Sequence, residues 1–190
     1  MQDTPIEPRV AVVIPCYRVK RHILGVLEAI GPEVAMIVAV DDACPEQSGD
    51  FIRAHCTDPR LQVVVHPVNK GVGGAVMTGI ATALAAGADI IVKIDGDGQM
   101  DPGLIGSFTD PIAAGQADYT KGNRFYNPED VATMPTIRLL GNAGLSFLTK
   151  LSSGYWNVFD PTNGYVAIDA RLAALLPTDK IAQRYLFETD

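Results

Sequence analysis

No excess of positive charge marks this chain: 15 Lys and Arg stand against 22 Asp and Glu, a formal net charge of −7. Polynucleotide backbones are held by clustered Lys and Arg, so nucleic acid is excluded as a main partner. A phosphorylated small ligand is not excluded, because a metal ion or a few local arginines reverse the field within one cleft. Cysteine is also scarce, and Cys16, Cys44 and Cys56 include no CxxC pair. An odd count without paired spacing speaks for a reducing compartment and against a disulfide framework. His22, His55 and His66 are scattered without zinc-ligand spacing, so they read as structural or surface residues. Long apolar runs are lacking too. The uncharged stretch that ends at Ala88 falls short of the ~20 residues that span a bilayer. The opening MQDTPIEPR has no apolar core and is not expected to act as a signal peptide.

What is present is a regular alternation. VAVVI (10–14), VAMIVAV (34–40), LQVVV (61–65) and DIIVKI (89–94) are short, apolar and rich in β-branched residues, as suits strands buried on both faces. Helical patterns lie between them at about 20–30, 46–56 and 71–87. A further helix is expected after Asp101-Pro102 to about 114, with Pro102 in its first turn. A strand at 117–122, a polar loop to Pro135, a helix over 136–151 and a loop-to-strand segment over 159–169 follow. This order predicts an α/β domain with a mainly parallel sheet flanked by helices. The 190 residues divide into a flexible start, 1–9, and one domain, 10–190. The sequence stops at RYLFETD without a Gly, Pro or polar tail, so the domain is expected to be cut short at its C-terminus.

Carboxylates cluster just past two of the expected strands: Asp41 and Asp42, then Asp95 and Asp97. Ligands of open α/β sheets bind outside those strand ends. In VKIDGDGQMDP, oxygen-bearing side chains recur at 95, 97, 99 and 101. An extended segment would turn them to one side and toward one hard cation, whereas Asp and Gly are equally at home in a solvated turn. An EF-hand is ruled out, since Met100 and Gly106 occupy the positions that need Gly and Glu. An open site for Mg2+ or Mn2+ on a diphosphate suits the donors better, with Asp97 and Gln99 as ligands and Asp95 on the metal or on a ribose. Gly96 and Gly98 would let the backbone approach such a ligand.

NKGVGGAVMTG (69–79) is neither a Walker loop, lacking Gly-Lys-Ser/Thr, nor a dinucleotide fingerprint, because Val76 stands at the third glycine. Its small residues suit close helix-on-sheet packing, and Lys70 could meet a phosphate near the helix's positive end. Arg124 stands in KGNRF. Arg138 and Asn142, four apart, would share a helix face and suit a phosphate, or merely make surface ion pairs. Glu188 and Asp190 read as a general base or as an acidic helix start.

Taken in order, VVIPCY, VAVDDACPEQSGD, NKGVGGAVMTGI, IDGDGQMDP, KGNRF, DPTNGY and FETD resemble the family 2 glycosyltransferases. The likeness is to the branch of dolichol-phosphate mannose synthase and other polyprenyl-phosphate sugar transferases, and it spans Val10 to Asp190. It implies the GT-A fold and an inverting, metal-dependent transfer from a UDP- or GDP-linked sugar. The acceptor implied is a polyprenyl or dolichyl phosphate of cell-envelope chemistry, or else a glycan hydroxyl. A binding module without turnover is the alternative from another class. By resemblance Pro15 and Tyr17 line the nucleotide pocket, and Asp41 or Asp42 faces the base. Asp95 and Asp97 form the DxD that holds Mg2+ or Mn2+, and Gln99 is a further ligand. Arg124, Arg138 and Asn142 bind the acceptor phosphate, and Asn163 and Gly164 belong to the sugar-side loop. Glu188-Thr189-Asp190 is the acidic motif on the closing helix. The expected place is the cytoplasmic face of a membrane, reached through later segments or through the acceptor. DDACPEQSGD departs from the DDGSTD of many relatives, on the base side.

Overall fold

The computed structural model describes residues 7–123, 163–177 and 181–183, with residues 141, 144, 146, 147, 150, 151 and 154. Six strands are β1 (Val10–Cys16), β2 (Val34–Asp41), β3 (Leu61–Val65), β4 (Ile90–Lys93), β5 (Tyr119–Lys121) and β6 (Val166–Asp169). They form one sheet in the order β3-β2-β1-β4-β6-β5. β1 to β4 run parallel, while β6 is antiparallel to both β4 and β5. The helices are α1 (Ile23–Glu28), α2 (Ser48–His55), α3 (Gly71–Ala85), α4 (Ile105–Ala113) and α5 (Ala170–Ala173).

Alternation along β1 divides the core. Val10, Val12 and Ile14 pack with Ile23, Val26, Ile52 and Ile105, from α1, α2 and α4. Ala11 and Val13 face the other way, onto Ala75, Val76, Ile80 and Ala83 of α3. Period-two side-chain direction thus gives the sheet a helical layer on each face.

α3 lies close on the sheet because its packing face is small. A Cβ at Gly79 would overlap Cγ1 of Val13. Gly79→Ala is expected to lower stability by about 1–3 kcal/mol through overpacking, despite its better helix propensity, read as a lower urea midpoint at unchanged m-value.

Three expectations need correction. LQVVV is a strand, but it lies at the sheet edge, where Val65 is 46% exposed, rather than buried on both faces. The helix after Asp101 begins as a 3-10 turn, Pro102–Leu104, capped by the Asp101 carboxylate accepting from Gly103 N–H at 2.9 Å. The helix expected from about 20 starts at Ile23, after a turn in which Arg18 has φ of 59°. Of the helix expected over 136–151, residues 141, 144, 146, 147, 150 and 151 are helical.

Arg60, before β3, ties that edge to the α1–β2 turn. Its guanidinium donates to the carbonyls of Gly31 at 2.6 Å, Val34 at 3.0 Å and Ile30 at 3.2 Å, and to Asp58 at 2.7 Å. Arg60→Ala is expected to lower stability by about 2 kcal/mol, the scale of charge-assisted bonds. The hydrogen bond from Arg60 holds the Asp58 carboxyl below its ordinary value. A lowered carboxylate stabilises fully above its unfolded pKa of about 4 and loses that effect as pH falls through the folded value. The variant should therefore lose this part of the acid dependence in urea melts taken between neutral and acid pH.

Candidate functional site

β1 and β4 are neighbours, yet the chain leaves β1 toward β2 on one side and β4 toward β6 on the other. A crevice opens at the carboxyl ends of strands where the order reverses in this way. A cavity of about 470 Å³ lies there, lined by Pro15, Cys16 and Tyr17 from the end of β1 and by Asp95, Gly96 and Asp97 after β4. Val19, Asp42 after β2, and Asn69, Gly71, Val72 and Ala75 at the start of α3 complete the wall. Pro15, Tyr17, Asp42, Asp95 and Asp97, named from sequence, are thus brought together; Asp41, Lys70, Gln99, Asn163 and Gly164 are not among the lining residues.

The adjacent carboxylates after β2 divide their work. Asp41, 3% exposed, turns to α2 and accepts from Cys44 N–H at 2.7 Å and Gly49 N–H at 2.5 Å. Asp42, equally buried, turns to α3. It accepts from Lys70 N–H and Gly71 N–H, both at 2.8 Å, and from His66 Nδ1 at 2.7 Å. A carboxylate at the start of a long helix is favoured by the unpaired N–H groups and the dipole there. His66 is buried too, and its Nε2 lies 2.9 Å from Thr78 Oγ1. Between the two possibilities left for the base side, Asp42 borders the cavity and Asp41 does not.

Residues 95–101 form a turn, not an extended edge. Asp97 Oδ1 accepts from Gln99 N–H at 3.0 Å, and both residues are exposed. Asp101 is committed to its cap, so four oxygens do not converge as the alternating pattern suggested. Gly98 has φ of +79°, a left-handed turn position. Gly96 serves the core: a Cβ there would sit 3.2 Å from Ile23 and 3.3 Å from Ile14. Lys93, unremarked in the sequence, is 3% exposed and places Nζ 2.8 Å from Asp95 Oδ1. The signal was a lone charge in the otherwise apolar IIVK, two residues before Asp95.

Tyr17 is 46% exposed at the rim, with the Arg18 guanidinium 5.5 Å from its ring centre. On the same side, burial pushes the Cys44 thiol up, but donors from Ser48 and Arg18 N–H outweigh it and leave the thiol lowered. Lys70 is exposed, and only its backbone joins the Asp42 cluster. Asn163 is buried in the segment leading into β6, its Oδ1 accepting from Tyr165 N–H at 2.9 Å and its amide set against Gly122; Gly164 follows it, also buried. Arg124, Arg138, Asn142, Glu188 and Asp190 lie outside the described residues. Gln183, shortly before the acidic motif, accepts from Gly74 N–H at 3.1 Å in the first turns of α3.

Among the described residues, no three His, Cys, Asp or Glu side chains are grouped to hold a metal ion. Asp97, Gln99 and Asp95 nonetheless offer hard oxygens beside an open cavity. That is the donor chemistry of Mg2+ or Mn2+ when a ligand's phosphates and water fill the remaining positions.

The Glycosyl transferase family 2 domain matches residues 11–174. This chain belongs to that family. It is 39% identical over 126 residues to the UDP-N-acetylglucosamine–dolichyl-phosphate N-acetylglucosaminyltransferase of Methanococcus voltae, covering 66% of this chain and 50% of that one. It is 29% identical over 187 residues to the undecaprenyl-phosphate mannosyltransferase of Micrococcus luteus, covering 96% and 75%. The chain therefore spans half the length of the first relative and three quarters of the second. A crystal structure of glucosyl-3-phosphoglycerate synthase from Mycobacterium tuberculosis, with Mn2+, UDP and glucosyl-3-phosphoglycerate, superposes with a TM-score of 0.67 at 22% identity. That match covers 96% of this chain and 63% of the synthase. The fold of this family 2 chain is GT-A, as its sequence implied. Among the described residues no helix is long and apolar enough to cross a membrane.

Proposed function

We propose that this family 2 glycosyltransferase moves a sugar, with inversion, from a nucleoside diphosphate to a polyprenyl or dolichyl phosphate, using residues 10–190 as its catalytic domain. The observation that carries the reading is the crevice between β1 and β4, where Asp42, Asp95 and Asp97 border one cavity. UDP is the favoured nucleotide, since the methanogen relative's name specifies a UDP-linked sugar and a dolichyl phosphate.

In this reading the base lies between Tyr17 and Asp42, and the diphosphate reaches toward Asp97 across the start of α3. A divalent cation held by Asp97 and Gln99, with Asp95 beside it, would offset charge gathering on the departing diphosphate. Asp42 is held by three donors, so its free lone pair is fixed in direction before any base arrives. A lipid phosphate, with a second pKa of about 6, is already an anionic nucleophile near neutral pH. Arg124, Arg138 and Asn142 are proposed to position it, with Asn163 and Gly164 near the sugar. A hydroxyl acceptor would instead need a base, for which Glu188 and Asp190 are the candidates.

The test is transfer itself. The chain is incubated with Mn2+ and radiolabelled UDP- or GDP-sugars, plus vesicles containing undecaprenyl or dolichyl phosphate. Label moving into the lipid fraction, dependent on the lipid phosphate, is the expected result. Label moving only to free glycans would overturn the acceptor, and binding of donor without transfer to any acceptor would favour a non-catalytic module.

A further inference from the structure

The ion pair between Lys93 and Asp95 has one end in the core and the other at the cavity. β4 is an interior strand, with Lys93 beside Val13 of β1 and Val166 of β6. The lysine side chain is 3% exposed, whereas that of Asp95 is 32% exposed and lines the cavity. A buried ammonium is costly to desolvate unless it is closely paired, and the close packing around its buried stem leaves it little room to follow a moving partner. Asp95 is therefore held toward the strand by a fixed positive charge. Asp97 and Gln99, on the exposed turn, meet no such restraint.

A divalent cation arriving alone meets a DxD whose first carboxylate is already paired with an ammonium. A cation arriving on a diphosphate brings anionic oxygens of its own, and the Lys93 charge then attracts the complex. Resting on the donor-site reading above, we propose that Lys93 is a positioning residue that makes metal capture conditional on the nucleotide. It acts through Asp95 and does not touch the reacting atoms.

Mn2+ titrations followed by electron paramagnetic resonance, without nucleotide and at saturating UDP, test this on the chain as it stands. UDP should tighten Mn2+ binding by about tenfold or more, within the usual range of coupling between ligands. Lys93→Met keeps the length and apolar stem of the side chain but removes its charge. It should bind Mn2+ alone about tenfold more tightly than the parent, with the UDP effect correspondingly reduced. Lys93→Arg, which keeps the charge, should behave like the parent. A merely structural lysine predicts the opposite sign, with Lys93→Met weakening Mn2+ binding in both conditions; that result overturns the proposal. Equal Mn2+ affinity with and without UDP in the parent chain also overturns it, whether or not the variant folds. Absence of any Mn2+ binding at saturating UDP overturns the donor-site reading and takes this inference with it.

Discussion

Asp97→Ala is expected to lower the Mn2+-dependent affinity for UDP by about 100-fold or more. Changes around metal ligands cost up to about that much, and here a ligand itself is removed. The fold should barely register the change. Asp97 is exposed at the tip of a turn, where it accepts one backbone hydrogen bond from Gln99. Surface substitutions of this kind stay within about 0.5 kcal/mol, so the urea midpoint should hold while binding disappears. Asp101→Ala supplies the converse. Losing the cap on Gly103 should cost about 1 kcal/mol and leave affinity for UDP in place. Calorimetry and denaturation on the two variants separate a ligand from a cap within one short acidic stretch.

The second large effect is expected at Asp42. Its buried carboxylate joins His66, Lys70 N–H and Gly71 N–H at the cavity wall. Asp42→Ala takes an acceptor from a buried imidazole and from two N–H groups at the start of α3, of which Gly71 N–H keeps Asn69 Oδ1 at 3.2 Å, a loss of about 1–3 kcal/mol. Nucleotide binding should go with it, because the same carboxylate borders the cavity. Asp42→Asn keeps the shape but surrenders one acceptor oxygen, so it should fold and bind weakly. Asp41→Asn should lower stability through α2, whose Gly49 N–H it caps, without a matching loss of affinity in the folded fraction. Thermal melts beside UDP titrations would show this split. Equal loss of affinity in the Asp41 and Asp42 variants would contradict the assignment of the base side.

Particular residues show what the sequence could and could not disclose. Four parallel strands were legible because β-branched runs such as VAVVI bury both faces and leave a periodic signature. Their ends then placed Asp42, Asp95 and Asp97 on one rim by topology alone. β3 misled because its composition matches a central strand, while its edge position depends on strand order, a property of the whole sheet. Asp41 and Asp42 could not be told apart, since direction at a strand end is decided by which helix start lies nearer. Asp101 looked like a fourth ligand because a cap and a metal ligand draw on the same oxygen. Gly96 lines the cavity, as its place between the two aspartates suggested, and is also kept small by Ile14 and Ile23 behind it. Lys93 escaped notice because burial is invisible in composition; His66 read as structural or surface, and its link to Asp42, 24 residues earlier, leaves no trace in spacing.

The most direct measurement is calorimetric titration of UDP, and then of GDP, into the folded chain with Mn2+ and again after EDTA. A cavity built around Asp42, Asp95 and Asp97 predicts that UDP binds with Mn2+ and that EDTA abolishes the binding. Binding of UDP that survives EDTA undiminished, or no binding of either nucleotide to the folded chain, would contradict the account.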